Sequence, residues 1–182
     1  MAIVLHQSVW AQQGSRDLVV FGVIRGEDFD WTQGWKLVAS QWLQVKAPHI
    51  LLNAFIIGGV GLAAEKGWGR VLPGVIALTG GTLSQALLAI LEPHEFLSGA
   101  SQAYMALCGF ALVAGRIGRV GLVLALAGML IGIAIDVVVS GHGQIKVGHA
   151  FPIIFGICSG LIAKGQSKPA FADRNKSTTG SV

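Results

Sequence analysis

Apolar residues in this chain fall into runs, and five of them are long enough to be membrane-spanning helices: 48–65, 71–91, 99–115, 119–140 and 148–164. A spanning helix needs roughly 20 apolar residues, fewer where other helices enclose it. The breaks at 65–70, 92–95, 116–119 and 141–146 carry charge, proline or glycine, the residues that end helices and open turns. Connections this short join antiparallel neighbours, so the pattern predicts one compact helical bundle. The first 47 residues hold no such run. Their best apolar stretch, 18–24, is seven residues long and ends at Arg25, while Trp31, Trp35 and Trp42 alternate with polar residues, as headgroup-level segments do. The expectation is an all-α membrane protein with about five transmembrane helices. An amphipathic interfacial segment and outer loop cover 1–47, a transmembrane core covers 48–165, and 166–182 form a polar tail whose composition predicts disorder. No basic region followed by an apolar core marks a signal peptide.

Composition sharpens this picture. Hydrophobic residues make up 53% of the chain and charged residues 12%, against about a quarter charged in soluble domains. The net charge of +4 does not indicate a nucleic-acid partner, because the basic residues are scattered in ones and twos between apolar runs. They read as topology signals. Tracing five antiparallel helices puts Lys66, Arg70, Arg116, Arg119, Lys164, Lys168, Arg174 and Lys176 on one side. The other side receives Arg16, Arg25, Lys36, Lys46 and Lys146, with Asp17, Glu27, Asp28, Asp30, Glu92 and Glu95. The first side, with the carboxy terminus, is expected to be cytoplasmic. Cys108 and Cys158 lie inside apolar runs and read as packing residues, with no disulfide framework, metal-ligand spacing or cofactor motif around them.

Polar groups inside apolar helices are costly, so each is a candidate for function. His49 and Asn53 are four residues apart, which sets both side chains on one helix face; they serve either an interhelical hydrogen bond or a shared target. Ser101 follows Gly99-Ala100 at the start of an apolar run, where a serine is either a helix cap or a nucleophile. His149 opens the last run, and Pro152, Gly156 and Gly160 form a four-residue stripe below it. Such a stripe admits a neighbouring helix closely, near enough for a direct bond between Ser101 and His149. Asp136 stands as the one carboxylate inside an apolar run, expected to reach the outer interface or to pair with Lys146.

In order along the chain, these segments resemble the rhomboid intramembrane proteases. WKLVASQWLQVKAPHILLN (35–53) is similar to the family's W-R-x-x-T-x-x-F-x-H…H-x-x-x-N, and Glu65-Lys66-Gly67 to its E-x-x-x-G-type helix end. GASQAYMALCGF (99–110) resembles G-x-S-G-x-x-x-x-L-x-G, and GHAFPIIFG (148–156) resembles A-H-x-x-G-x-x-x-G. The resemblance covers about 35–164. It implies a rhomboid-like bundle and a Ser–His dyad, with Ser101 as nucleophile, His149 as base, and His49 and Asn53 on the oxyanion side. Gly156 and Gly160 would serve helix packing. Substrates would be membrane proteins in the lipid bilayer, cut near the outer face of a bacterial inner membrane. The loops at 92–98 and 141–146 would frame a hydrated cavity open to the periplasmic side. Small size and a compact core also resemble the rhombosortases, relatives that process a carboxy-terminal sorting tail on exported bacterial proteins.

Three departures from the family pattern bear on activity. Gln102 stands where a glycine usually follows the nucleophile, Pro152 replaces the first packing glycine after the base, and the family's usual first transmembrane helix is not found. Met105 holds the place of the aromatic that often lies against the base, with Tyr104 one position earlier. Gln102 is expected to turn aside and leave the site open. The alternative function is a catalytically silent, rhomboid-like accessory or scaffold subunit of a larger membrane complex. A transporter is disfavoured, since no inverted repeat is present and the polar groups gather on one side.

Overall fold

The computed structural model describes residues 14–44, 46–139 and 145–166. The polar tail with Lys168, Arg174 and Lys176, and the loop around His142, lie outside the described residues. The chain folds as an all-α membrane bundle. Four helices are long and apolar enough to cross a membrane: α2 (Ala47–Trp68), α3 (Val71–Leu91), α5 (Arg119–Ala134, extended by a π-helical turn Ile135–Val139) and α6 (Val147–Gln166). Their outward faces carry Phe55, Leu62, Val71, Val123, Leu130 and Leu161, all strongly exposed. So much exposed apolar surface is stable only against lipid.

The fifth apolar run is α4 (Ser101–Ala114), and at 14 residues it is about 21 Å long, short of the hydrocarbon thickness. It has no need to span, because the other four helices enclose it: α2, α3, α5 and α6 all pack on it, α6 most extensively. Eleven of its residues are buried. Its start therefore lies below the surface of the bundle, and whatever side chain opens it is held inside the protein and away from lipid.

Of the segment expected to lie at the interface, residues 14–44 form short turns that cap one end of the bundle. A 3-10 turn (Arg16–Phe21) is followed by β1 (Ile24–Arg25), further 3-10 turns and a short α1 (Trp35–Ala39). Leu18, Val23 and Ile24 are buried while Trp31, Trp35 and Trp42 are exposed, which suits aromatic rings lying at headgroup depth. This layer grips the loop that precedes α4. β1 pairs antiparallel with β2 (Phe96–Leu97) in the register Ile24↔Leu97 and Arg25↔Phe96. Glu27 N–H donates to the Pro93 carbonyl at 2.9 Å, and Gly99 N–H to that of Ser40 at 2.9 Å. Gly99 has φ +105°, a left-handed conformation that side chains disfavour, and this bend turns the loop down into α4.

At the opposite end the helix connections are tight. Trp68 Nε1 donates to the Gly115 carbonyl at 2.9 Å, and the Arg116 guanidinium lies 5.2 Å from the centre of the Trp68 ring. Lys66, Arg70, Arg116, Arg119 and Lys164 belong to this end.

Candidate active site

Three helix starts and one helix end meet at the capped end of the bundle. Ser101 is the first residue of α4, His149 lies in the first turn of α6, His49 lies in the first turn of α2, and Asp136 lies in the π-helical turn that finishes α5. Ser101, His149, His49 and Asn53 all line one small cavity of about 100 Å³, with Gln44, Ser98, Tyr104, Gly132 and Ile135 also in its wall. A larger cleft of about 770 Å³ opens beside it, lined among others by Ser101, Gln102, His49, His149, Glu92, His94, Glu95 and Lys146. Ser101 and His149 border both spaces. The fold thus gathers the four polar residues singled out in the sequence around one volume, Asn53 buried and His49 exposed toward the cleft.

Close helix approach explains how α4 and α6 bring the serine and histidine together. A methyl group added at Gly156 would collide with the Ala106 carbonyl of α4, and one at Gly160 would come within 2.8 Å of the Phe110 carbonyl. Pro152 is fully buried in the same stripe. The two backbones are in contact at Gly156, and at Gly160 the Val113 side chain of α4 shares the contact.

The serine is not a helix cap. Ala100 holds the capping position, and no side chain caps this helix. The Ser101 hydroxyl instead donates to Gln102 Oε1 at 3.3 Å, a long and weak bond. Gln102, expected to turn aside, is buried and keeps its amide oxygen on Ser101. The glutamine follows the serine directly within the first turn, so its amide reaches back to the neighbouring hydroxyl. Among the described residues no hydrogen bond joins Ser101 to His149. Tyr104 reaches the cavity wall, whereas Met105 sits in the apolar core and its methyl end lies against Gly132 of α5.

Asp136 corrects the sequence expectation. It neither reaches the interface nor pairs with the Lys146 ammonium: its side chain is 1% exposed, and Oδ2 lies 2.6 Å from Nδ1 of His149. The same oxygen accepts the Lys146 backbone N–H at 3.1 Å. The sequence marked Asp136 as an ionisable group inside an apolar run. It did not reveal the partner, because the π-helical turn and the returning chain decide where the carboxylate points. Gln44 went unmarked, having nothing to distinguish it from other polar loop residues, whereas Ser98 closes the loop 92–98 that was expected to frame the cavity.

Searches of curated proteins and of solved structures give no match. The family model described as Rhomboid domain matches residues 32–166, from the short turns that cap the bundle to the end of α6. That span contains the short buried helix, its serine, the paired glycine stripe and the histidine above it, and the chain accordingly belongs to the rhomboid family.

Proposed function

We propose that this protein is an intramembrane serine endopeptidase, with Ser101 as nucleophile and His149 as general base, that cleaves membrane-protein substrates near the outer membrane interface. The observation that carries this reading is the convergence of Ser101, His149, His49 and Asn53 on one cavity from three separate helices. In the reaction the Ser101 hydroxyl rotates off Gln102 toward Nε2 of His149, which takes its proton as Oγ bonds to the scissile carbonyl carbon. The negative charge on the carbonyl oxygen is met by His49, Asn53 and the backbone N–H groups that open α4. Each well-placed donor of this kind is worth about 3–4 kcal/mol in soluble proteases. His149 then protonates the leaving amine, the peptide bond breaks and an acyl-enzyme remains. Water from the larger cleft loses a proton to His149 as it attacks the ester carbonyl, and His149 returns that proton to Ser101 Oγ as the ester C–O bond breaks and the carboxylic product leaves.

Orientation follows from charge. Lys66, Arg70, Arg116, Arg119 and Lys164 crowd the end opposite the cavity, and basic loops stay cytoplasmic, so the site faces outward. The exposed tryptophans of the interfacial layer fit that placement. Substrate helices would unwind near the same interface to present an extended bond to Ser101.

A second reading has one specific observation in its favour. Gln102 lies on Ser101, as it would in a silent relative that serves as an accessory or scaffold subunit. Labelling with a fluorophosphonate serine probe, and cleavage of a single-span peptide with helix-breaking residues at its outer end, separate the two. The protease reading expects labelling and cleavage in the parent and neither in Ser101→Ala. Activity that emerges only in Gln102→Gly would establish the silent reading.

A further inference from the structure

We propose that Asp136 is a positioning residue for the base, a third member that holds His149 in the orientation and tautomer the reaction needs; this rests on the protease reading above. A carboxylate inside a membrane-spanning segment is expensive to bury unless its oxygens are satisfied. Asp136 is 1% exposed and its Oδ2 takes two partners, the His149 ring at 2.6 Å and the Lys146 backbone N–H at 3.1 Å. The short separation from the ring is that of a charge-assisted bond.

The consequence for the imidazole is chemical. An ionised carboxylate only accepts, so the proton of a neutral ring bonded to it stands on Nδ1 and Nε2 keeps its lone pair. Nε2 is the nitrogen left to take the Ser101 proton. When it does, the imidazolium that forms stays beside the buried carboxylate, and the developing positive charge is stabilised without any proton passing to Asp136. The ring is also fixed in rotation, since α6 holds its backbone while α5 holds its Nδ1.

Backbone geometry serves the same end. Regular α-helix stops at Ala134, and the π-helical turn Ile135–Val139 follows. Such turns insert an extra residue per turn and are frequent at functional sites. Here the widened turn sits where Asp136 must point toward α6, while its neighbour Ile135 lines the cavity. The Lys146 N–H joins the ring on that same oxygen just before α6 begins.

The test uses the full chain in lipid vesicles. Asp136→Asn keeps size but not charge. The parent holds Nδ1 and the Lys146 N–H on one oxygen, so an amide whose NH2 takes that place donates to Nδ1, moves the ring proton to Nε2 and gives up the Lys146 N–H. We expect kcat on the single-span peptide to fall about 100-fold or more, with KM within about threefold. Asp136→Ala, which leaves the ring unheld but free to choose its tautomer, should lose no more than Asp136→Asn. A carboxylate that merely tied the loop would give the opposite order, since asparagine preserves the packing. The nitrogen NMR spectrum of His149 gives a readout independent of turnover: protonated Nδ1 in the parent, protonated Nε2 in Asp136→Asn. An active parent whose Asp136→Asn variant keeps its kcat overturns the Asp136 assignment and leaves the protease intact. A parent that neither cleaves nor labels at Ser101 overturns the protease reading, and with it any catalytic use of Asp136.

Discussion

The central helix α4 meets α6 on one side and α5 on another, and the two interfaces are built differently. Against α6 the contact is backbone on backbone. Gly156 lies against the Ala106 carbonyl, and Gly109 of α4 lies against the Ile153 carbonyl of α6. Against α5 the contact runs through side-chain ends. Gly132 receives the methyl end of Met105 and the hydroxyl of Tyr104, and a methyl group added at Gly128 would come within 3.4 Å of the Cys108 Sγ. Carbonyl groups of packed helices cannot move aside, whereas a methionine chain can repack. The α4–α6 seam, which carries Ser101 and His149, is therefore the stiff one, and the α4–α5 seam is the adaptable one. In a membrane, where lipid is as apolar as the helix faces, close packing of this kind supplies much of the association energy.

The largest effect should come from adding a side chain in the stiff seam. Gly156→Val is expected to destabilise the bundle by about 3 kcal/mol or more and, in any protein that still folds, to separate Ser101 from His149 and abolish cleavage. Unfolding in mixed detergent, read beside the cleavage assay, measures both. A Gly156→Val variant with parental stability would break the comparison outright.

Next in size is the adaptable seam. Gly132→Ala should cost less than Gly156→Val, about 1–2 kcal/mol, because the Met105 methyl can swing away while the Tyr104 hydroxyl, on its stiffer ring, must shift with it. If it proved as damaging as Gly156→Val under the same denaturation, the two seams would be equally stiff. Smaller still is Gln102→Gly, which removes an amide bonded to the Ser101 hydroxyl at 3.3 Å. A net hydrogen bond is worth about 1 kcal/mol, so kcat should rise by a few-fold. A fall would mean that the glutamine helps hold the substrate. The smallest change belongs to the lipid side of α5, where Val123 is 65% exposed. Val123→Ala should shift stability by less than about 0.5 kcal/mol, and a larger loss would indicate that this face is covered by something other than lipid.

How much of this was legible in the sequence varied with the physical range of the interaction. The five apolar runs anticipated the five bundle helices, because a break in hydrophobic pattern is a local property: Gly69 and Arg70 separate α2 from α3, and 115–118 separate α4 from α5. The i,i+4 spacing of His49 and Asn53 likewise assigned them one face before any fold was known. The glycine stripe of α6 announced a close approach by the helix of Ser101, but not that Gly109 of that helix would answer it.

The sequence by itself thus determined an all-α membrane bundle, its helix boundaries to within a few residues, and the polar residues that reward attention. Only the tertiary structure decided that α4 is too short to span and lies enclosed, that Gln102 rests on Ser101, that Tyr104 and not Met105 walls the cavity, and that Asp136 bonds His149. The reason is that periodicity and composition report on a residue's own helix, through rise, turn and transfer energy. Hydrogen bonds between helix ends depend on crossing angles, on one widened turn in α5 and on the path of the connecting chain, and these are fixed only when every helix has packed.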